Sequence, residues 1–560
     1  MARLDRLVTA KAVAQYAAVI GRQFAYDLLS MVSQLDAATL QRELGRLVEA
    51  EIVYQRGVPP QATYVFKHAL IQDAAYQSLL KSTRQQYHQH IAQVLESRFP
   101  TLVEGQPELV AQHYTEAGQS ARAITYWQRA GERALQRSAN LEAISHLTKG
   151  LEVLTTLPDS PERLQHELDL QITLGQALTV TKGFAAPEVG HTYARAHELC
   201  QQVGETPQLF PVLRGLWNFY LIGLELQTAR ELGEHLLTLA LAQSVGDPAL
   251  LLEAHCALGN TLNYLGEFAS AQIHFAQGIA LYDPQRHRAH AVRYAQDPGV
   301  VCRAYAGVTL WWLGYPDQAV QRSHEALTLA RELAHPFSLG FALFFAAILH
   351  QFRQEGQLTQ ERAEAVIALA AEQGFVQWVA GGTFFRGWAL AARSPAPGVD
   401  QRPGAEGTAQ MQQGLAAWRA TGAEVMRPYH LALLAEASAK GGQIEEGLTL
   451  LTEALAMANA KGERRWDAEL YRLKGEVLLA RSAEHYAEAE TCFRQALDIA
   501  HRQQAKSWEL RAAMSLARLW QRQGKRTEAH DLLAPVYGWF TEGFDTADLQ
   551  EAKALLAALA

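Results

Sequence analysis

One stretch, "ALGNTLNYLGEFASAQIHFAQGIALYDP", constrains the chain more than any other. Leu258, Gly259, Leu262, Gly266, Phe268, Ala271, Phe275 and Gly278 place small and large apolar residues at helical spacing, with a glycine between the two halves. Small residues let two helices approach closely, and large ones fill the gaps between successive helix pairs. The same frame returns at Gly307, Leu310, Gly314, Ala319 and Ala326, and at Leu434, Gly442, Gly447, Leu451 and Ala454. It returns again at Tyr471, Gly475, Tyr486, Ala489, Phe493 and Ala496, and at Leu516, Gly524, Ala529 and Leu533. An earlier copy holds Tyr114, Gly118, Ala123, Trp127 and Ala130. A unit that cannot bury its apolar face alone must stack on its neighbours, so six such units predict a helical solenoid from about residue 106 to the end.

This is the frame of a tetratricopeptide (TPR) helix pair. Ala, Leu, Gln, Glu and Arg dominate the rest of the chain, which is helix-former usage, and 560 residues exceed one compact core. Two places break the period. Gly259 and Gly307 hold the same repeat position but lie 48 residues apart, against roughly 34 for a TPR unit. The excess falls in "DPQRHRAHAVRYAQDPG", residues 283–299. The second break, "RSPAPGVDQRPGAEG" at 393–407, has the Pro and Gly content of a solvent loop.

The first hundred residues follow a different pattern. Residues 5–20, 24–33 and 37–49 are helix-prone, and Ile52–Tyr54 and Thr63–Phe66 are short β-prone runs around the turn Gly57-Val58-Pro59-Pro60. Three helices and a hairpin make a winged-helix pattern. Its would-be recognition helix carries Arg42 and Arg46 but also Glu43 and Glu49, with Glu51 just beyond. DNA binding needs a basic face that neutralises phosphates, and this one is balanced, so no nucleic-acid partner is expected. The net charge of -8 adds no basic bias. Charges at Arg3, Asp5 and Arg6 stand where a signal peptide needs an apolar run. No apolar segment reaches the roughly 18 residues of a membrane span. Cys200, Cys256, Cys302 and Cys492 form no CxxC pair, which argues against a zinc site or disulfide framework. A cytoplasmic chain with no membrane partner is expected.

"LVEAEIVYQRGVPPQATYVFKHALIQDAAYQSLLKSTRQQYHQHIAQVLE", with "MARLDRLVTAKAVAQYAAVIGRQFAYDLL" before it and "AISHLTKGLEVL" after, resembles the C-terminal region of bacterial signal-transduction ATPases of the STAND class. Some of these are fused to adenylate/guanylate cyclase domains. "QDPGVVCRAYAGVTLWWLGYPDQA" and "APVYGWFTEGFDTADLQEAKALL" are similar to the same family. The resemblance implies the order effector, P-loop ATPase, winged helix, TPR array. This sequence holds no G-x-x-x-x-G-K-[ST], whose backbone N–H groups and lysine cradle phosphates. Its nearest phrase, Gly524-Lys525, lies in a TPR turn. The chain is therefore expected to be non-catalytic, with no cofactor of its own. The resemblance implies that it corresponds to the part of such a protein that starts at the winged helix. A truncated gene, a split protein and a mis-called start each fit that. The resemblance also implies that His68 or Lys67 faces a nucleotide held by an ATPase module on another chain. Otherwise His68 caps the following helix and packs against the wing.

No other motif points to catalysis. His88 and His90 lie two apart and so on different helix faces, and His287 and His290 lack an acidic or cysteine partner at helical spacing, so no metal site is expected. The inner face of the solenoid is the better candidate. Its helix-A positions include Asn260, Asn263, Trp311, Glu436, Arg472, Glu476, Arg511 and Arg518, a mixture suited to a protein or peptide or a small effector. His287, His290 and Tyr294 in the 283–299 insertion are expected to form a lid over that groove, or else an extra helix extending the stack. The expectation is a right-handed all-α solenoid of TPR-like pairs behind a winged-helix module. Its boundaries are 1–100, 101–392, a loop at 393–407, and 408–560. It would act as a sensor and scaffold for a signalling ATPase. The alternative is a component of an ATPase or nucleotidyl cyclase that is active only with a P-loop or cyclase part absent from this sequence.

Overall fold

A computed structural model of the chain describes residues 8–204, 206–243, 248–392 and 402–560. It divides into two compact units, Met1–Leu174 and Gly175–Ala560, with the boundary inside the Pro161–Lys182 helix.

In the first unit, helices Val8–Ile20, Tyr26–Val32 and Ala37–Glu49 surround a small antiparallel sheet of β1 (Gln23–Ala25), β2 (Val53–Arg56) and β3 (Thr63–Phe66). The strand order is β1-β3-β2, with Gln23 opposite Val65 and Val53 opposite Phe66. The hairpin and the three helices match the sequence expectation. Strand β1 does not, because three residues are too few to show alternation. Its Phe24 is buried against Tyr64, with ring centroids 5.6 Å apart, and so joins the sheet to the core. Asp36 caps the third helix by accepting from Thr39 N at 2.9 Å. Both arginines of that helix are committed to the buried Glu43, at 3.1 Å each. The core continues through Ile91, Val110, Tyr114 and Trp127 into the helix pair Pro107–Glu116 and Ser120–Gln136.

In the second unit the helices pair along the chain, from Leu209–Ile222 with Leu226–Gln243 to Lys506–Arg522 with Arg526–Gly538, and Ala547–Leu559 closes the series. The α-solenoid of TPR-like pairs is thus the fold. Its repeat positions do what the frame requires. A Cβ on Gly259 would lie 2.6 Å from Phe275, and one on Gly475 would lie 2.5 Å from Phe493, so in both repeats the glycine lets an aromatic of the partner helix seat. Gly266 turns the chain between paired helices with φ +80°, a conformation that a side chain would strain. Three pairs escaped the sequence frame: Leu209–Ile222 with Leu226–Gln243, Pro336–Phe352 with Gly356–Gln373, and Val376–Ala392 with Arg402–Ala420. In the second and third of these, Phe344, Phe345, Trp378 and Phe385 are buried beside the usual Ala and Leu.

Residues 393–401 of the expected loop lie outside the described residues. Residues 402–407 are not loop: they open the Arg402–Ala420 helix, and Gly407 presses on its neighbour so closely that a Cβ would sit 2.5 Å from Ala391 N. The 283–299 insertion is also architecture. It folds as a turn, the short helix His290–Arg293 and Asp297, which caps Pro298–Trp312 by accepting from Val300 N at 3.0 Å.

The unit winds back on itself. Arg465 donates to Asn263 Oδ1 at 3.2 Å, the Trp311 and Trp508 rings meet edge-on at 4.9 Å, and Ser507 donates to Trp311 O. The Glu542 carboxylate accepts from the Asp317 and Gln318 backbone N–H groups at 3.0 and 3.1 Å, at the start of the Pro316–Leu333 helix.

Candidate functional site

Helix periodicity brings side chains three, four and seven apart onto one face. On Arg427–Lys440 these are Leu433, Glu436 and Lys440; on Asp467–Arg481, Glu469 and Arg472; on Lys506–Arg522, Arg511, Ser515 and Arg518. With Asp548 and Glu551 from the last helix, Gln351 and Gln354 from Pro336–Phe352 and its turn, and Trp388, they line one cavity of ≈ 970 Å³. That volume lies near the top of the roughly 300–1,000 Å³ typical of ligand clefts.

Each cation in the cavity has a carboxylate. Lys440 bonds Glu436 at 2.8 Å, and Arg472 bonds Glu469 through two contacts of 2.7 Å. Arg511 bonds Asp548 at 2.9 Å, and Arg518 bonds Glu551 at 2.7 Å. Arg511 lies deepest. It also donates to Phe352 O and sits 5.0 Å over the Trp311 ring, so the charged floor of the cavity is part of the closing contact. Burial pushes the Asp548 carboxyl above its ordinary value, against the pull of Arg511. Burial also works to raise Glu436, but Lys440, Arg472 and Arg511 together hold it below the ordinary carboxylate value. Glu476, just outside, accepts from Ser515 at 2.5 Å. Interspersed amides add dipoles of both senses: Gln351 accepts from Tyr429 at 2.8 Å and Gln354 donates to Asp548 at 2.8 Å. A charge-balanced, amide-rich surface with one half-exposed indole suits a polypeptide, which carries both charge signs and backbone amides, better than a simple anion.

Glu436, Arg472, Arg511 and Arg518, expected on the inner face, all line this cavity, and Glu476 borders it. Asn260, Asn263 and Trp311 do not. They are buried, Asn263 between Thr309 at 2.8 Å and Arg465, and Trp311 between Phe352 and Trp508. The winding of the unit covers that part of the face, so their expected role in an open groove is corrected. The lid is corrected too. His287, His290 and Tyr294 are buried in the stack. His290 bonds Glu253 at 2.9 Å, and Glu253 in turn holds Arg214 at 3.1 Å. None of the three lines the cavity. His68 stands at the cap position of Ala69–Gln77 but is exposed and makes no capping bond among the described residues, so the capping expectation fails. Lys67 pairs with Glu51 at 2.7 Å. Sequence reasoning missed Trp388, because its repeat was not recognised. It also missed Lys440, which the i, i+4 spacing from Glu436 would have found, and Asp548 and Glu551, which lie at no helical spacing from a residue expected on the inner face.

No family model matches the chain. An uncharacterised protein of Rhizobium meliloti is 26% identical over 523 residues, covering 92% of this chain and 49% of its own. The chain therefore spans about half the length of this curated relative. Among solved structures, the Rap protein complexed with competence and sporulation factor is similar with a TM-score of 0.50 and 11% identity, over 69% of this chain and 99% of that one. A STAND protein with a tetratricopeptide repeat sensor from Pyrococcus horikoshii aligns with 98% of this chain and 65% of its own, at 10% identity and a TM-score of 0.35. At these identities the first likeness is one of fold, a solenoid of TPR-like helix pairs, and the second is too distant to bear weight.

Proposed function

We propose that the Gly175–Ala560 unit is a non-catalytic sensor that binds an extended protein segment in the ≈ 970 Å³ cavity. The observation that carries this is the pairing of every cavity cation with a carboxylate beside amide side chains: a polypeptide can exchange partners with both signs without stranding a charge. Arg518 and Glu551, on the rim, are half-exposed and free to exchange, whereas Arg511 is fixed. The sequence resemblance supplies the setting: a winged-helix module before a STAND-type sensor, with occupancy passed to a nucleotide switch. In that setting the exposed His68, with Lys67 beside it, faces a nucleotide held by an ATPase or cyclase-linked module on another chain.

Selecting a phage-displayed random dodecapeptide library on the purified chain, then measuring the winning peptide by fluorescence anisotropy, tests the site. Arg518→Glu and Trp388→Ala are expected to weaken it at least tenfold. Unchanged affinity in both variants places peptide binding elsewhere.

A further inference from the structure

The ≈ 970 Å³ cavity has a mouth and a floor. At the mouth the Lys440, Arg518 and Glu551 side chains are 71%, 39% and 52% exposed. At the floor those of Arg511 and Asp548 are 7% and 11% exposed. The floor is closed behind. Arg511 donates to Phe352 O, Gln354 donates to Asp548 at 2.8 Å, and the buried Trp311 ring under the guanidinium stacks on Phe352 at 4.8 Å. A chain end reaches such a floor directly. The interior of a chain must enter and leave by the same mouth, which needs a turn of about four residues and two strands about 4.7–4.9 Å apart.

The floor's charged donors are committed and its acceptors are not. All three nitrogens of Arg511 face partners: Nε bonds Asp548 at 2.9 Å, Nη2 bonds Phe352 O, and Nη1 lies 3.6 Å from Glu469. Arg472 is placed alike, with Nε and Nη2 each 2.7 Å from Glu469 and Nη1 3.7 Å from Glu476. A carboxylate offers about four lone-pair sites. Asp548 accepts from Arg511 and from Gln354, which leaves it room for a further donor.

We propose, resting on the peptide reading of this cavity, that it takes the free amino end of a polypeptide, with the α-ammonium set on the Asp548 carboxylate and the following residues running out past Arg518 and Glu551. An α-ammonium brings three N–H donors, which Asp548 and Glu469, the two carboxylates that share Arg511, can accept. It is charged at neutral pH, with an ordinary pKa of about 7.7–8.0 that a carboxylate partner raises. A carboxylate end at the same depth would be desolvated beside Asp548 and Glu469, with both guanidinia already engaged. A lysine side chain offers the same ammonium on a four-carbon stem and would leave the main chain at the mouth. Blocking the amino end separates these two sources.

The test uses the full chain and the dodecapeptide selected above, displayed with its amino end free and then synthesised with a dye at its carboxyl end. Three forms are compared by fluorescence anisotropy: free amino end, acetylated amino end, and free amino end with every lysine replaced by glutamine. Acetylation is expected to weaken binding at least tenfold, and lysine replacement to leave it within threefold. Asp548→Asn, checked for an unchanged fold by circular dichroism, is expected to weaken the free form at least tenfold and the acetylated form not at all. An acetylated peptide that binds the unaltered protein as tightly as the free one, while Arg518→Glu still weakens both, overturns the proposal and leaves the peptide reading standing. Loss on lysine replacement alone gives the ammonium to a side chain and likewise overturns it. Equal weakening of both forms by Asp548→Asn removes Asp548 as the partner. Affinity that neither Arg518→Glu nor Trp388→Ala changes overturns the peptide reading, and this proposal with it.

Discussion

Replacing Asp297 with asparagine should stabilise the protein at neutral pH. Asp297 is fully buried, accepts from Val300 N at 3.0 Å and from Tyr282 Oη at 2.9 Å, and its own N–H donates to Ser338 at 2.9 Å. Burial raises its carboxyl from 3.8 to about 6, with Val300 N–H and Tyr282 opposing and Glu253 assisting. Because the folded value lies above the unfolded one, the native state holds a proton that the unfolded chain releases between about pH 4 and 6. Stability from this group is therefore fully present below pH 4 and is lost as pH rises through 6. At about 1.4 kcal/mol per pH unit over that gap, the loss at pH 7.5 approaches about 3 kcal/mol. Asparagine keeps one oxygen to accept from Val300 N–H, presents its NH2 to Tyr282 Oη, which then accepts, and has nothing to ionise. It gives up a favourable charge at the helix N-terminus, worth about 0.3–1 kcal/mol. Asp297→Asn should accordingly be about 2 kcal/mol more stable than the parent at pH 7.5, and the difference should shrink towards pH 4.5. Urea unfolding followed by tryptophan fluorescence at pH 4.5, 6 and 7.5 measures this. A variant less stable than the parent at pH 7.5, or a gap that does not narrow with acid, refutes the assignment of the buried charge.

Arg511→Met strands Asp548 at the cavity floor and should cost about 3–5 kcal/mol, with Arg511→Met/Asp548→Leu recovering part of it in the same denaturation assay. Gly407→Ala should cost about 1–3 kcal/mol, because its Cβ would meet Ala391 N at 2.5 Å and Gly387 O at 2.6 Å; an unchanged Tm would mean that the two helices do not pack this closely. Replacing residues 285–296 with a short Gly-Ser linker removes His290 from Glu253 and should lower Tm sharply while leaving affinity for the selected peptide unchanged; weakened binding at unchanged Tm would restore the lid. The purified chain should bind ATP no better than a control protein, as expected for a sequence without a P-loop, and micromolar affinity by equilibrium dialysis would contradict this.

The parts of the fold that depend on near neighbours in the chain were legible. Gly259, Gly475 and their partner phenylalanines announce close helix pairs because the small and large residues lie within one repeat. The Pro336–Phe352 and Val376–Ala392 helices were not legible, since phenylalanine and tryptophan are buried there beside the usual Ala and Leu and change the pattern. The site divides the same way. Glu436, Arg472, Arg511 and Arg518 could be placed on the inner face from spacing alone. What could not be read is that Arg465 and Trp508, about 200 residues along the chain, cover Asn263 and Trp311. Spacing tells which way a side chain points from its own helix; it does not tell what another turn of the superhelix puts in front of it. The same blindness made the 283–299 insertion look like a lid. Its histidine finds Glu253 37 residues earlier, a partner with no local signature.

The winding of the Gly175–Ala560 unit has a consequence for how it folds. In an extended repeat array each unit touches only its neighbours, so the array can nucleate anywhere and unravel from either end. Here Asp317 and Glu542, separated by 225 residues, and Ser507 and Trp311, separated by 196, are bonded directly. Those contacts cannot form until everything between them has found its place, and the loop they close is long. The middle repeats can therefore assemble quickly from local contacts, while the closing bonds arrive last and lock them together. Once locked, the terminal helices are no longer the weakest end: fraying them means breaking Glu542 from the Pro316–Leu333 helix and Asp548 from Arg511 at the same time. In the Gly175–Ala560 unit, repeats of a kind that usually melt one by one are tied by long-range bonds into a body that opens together.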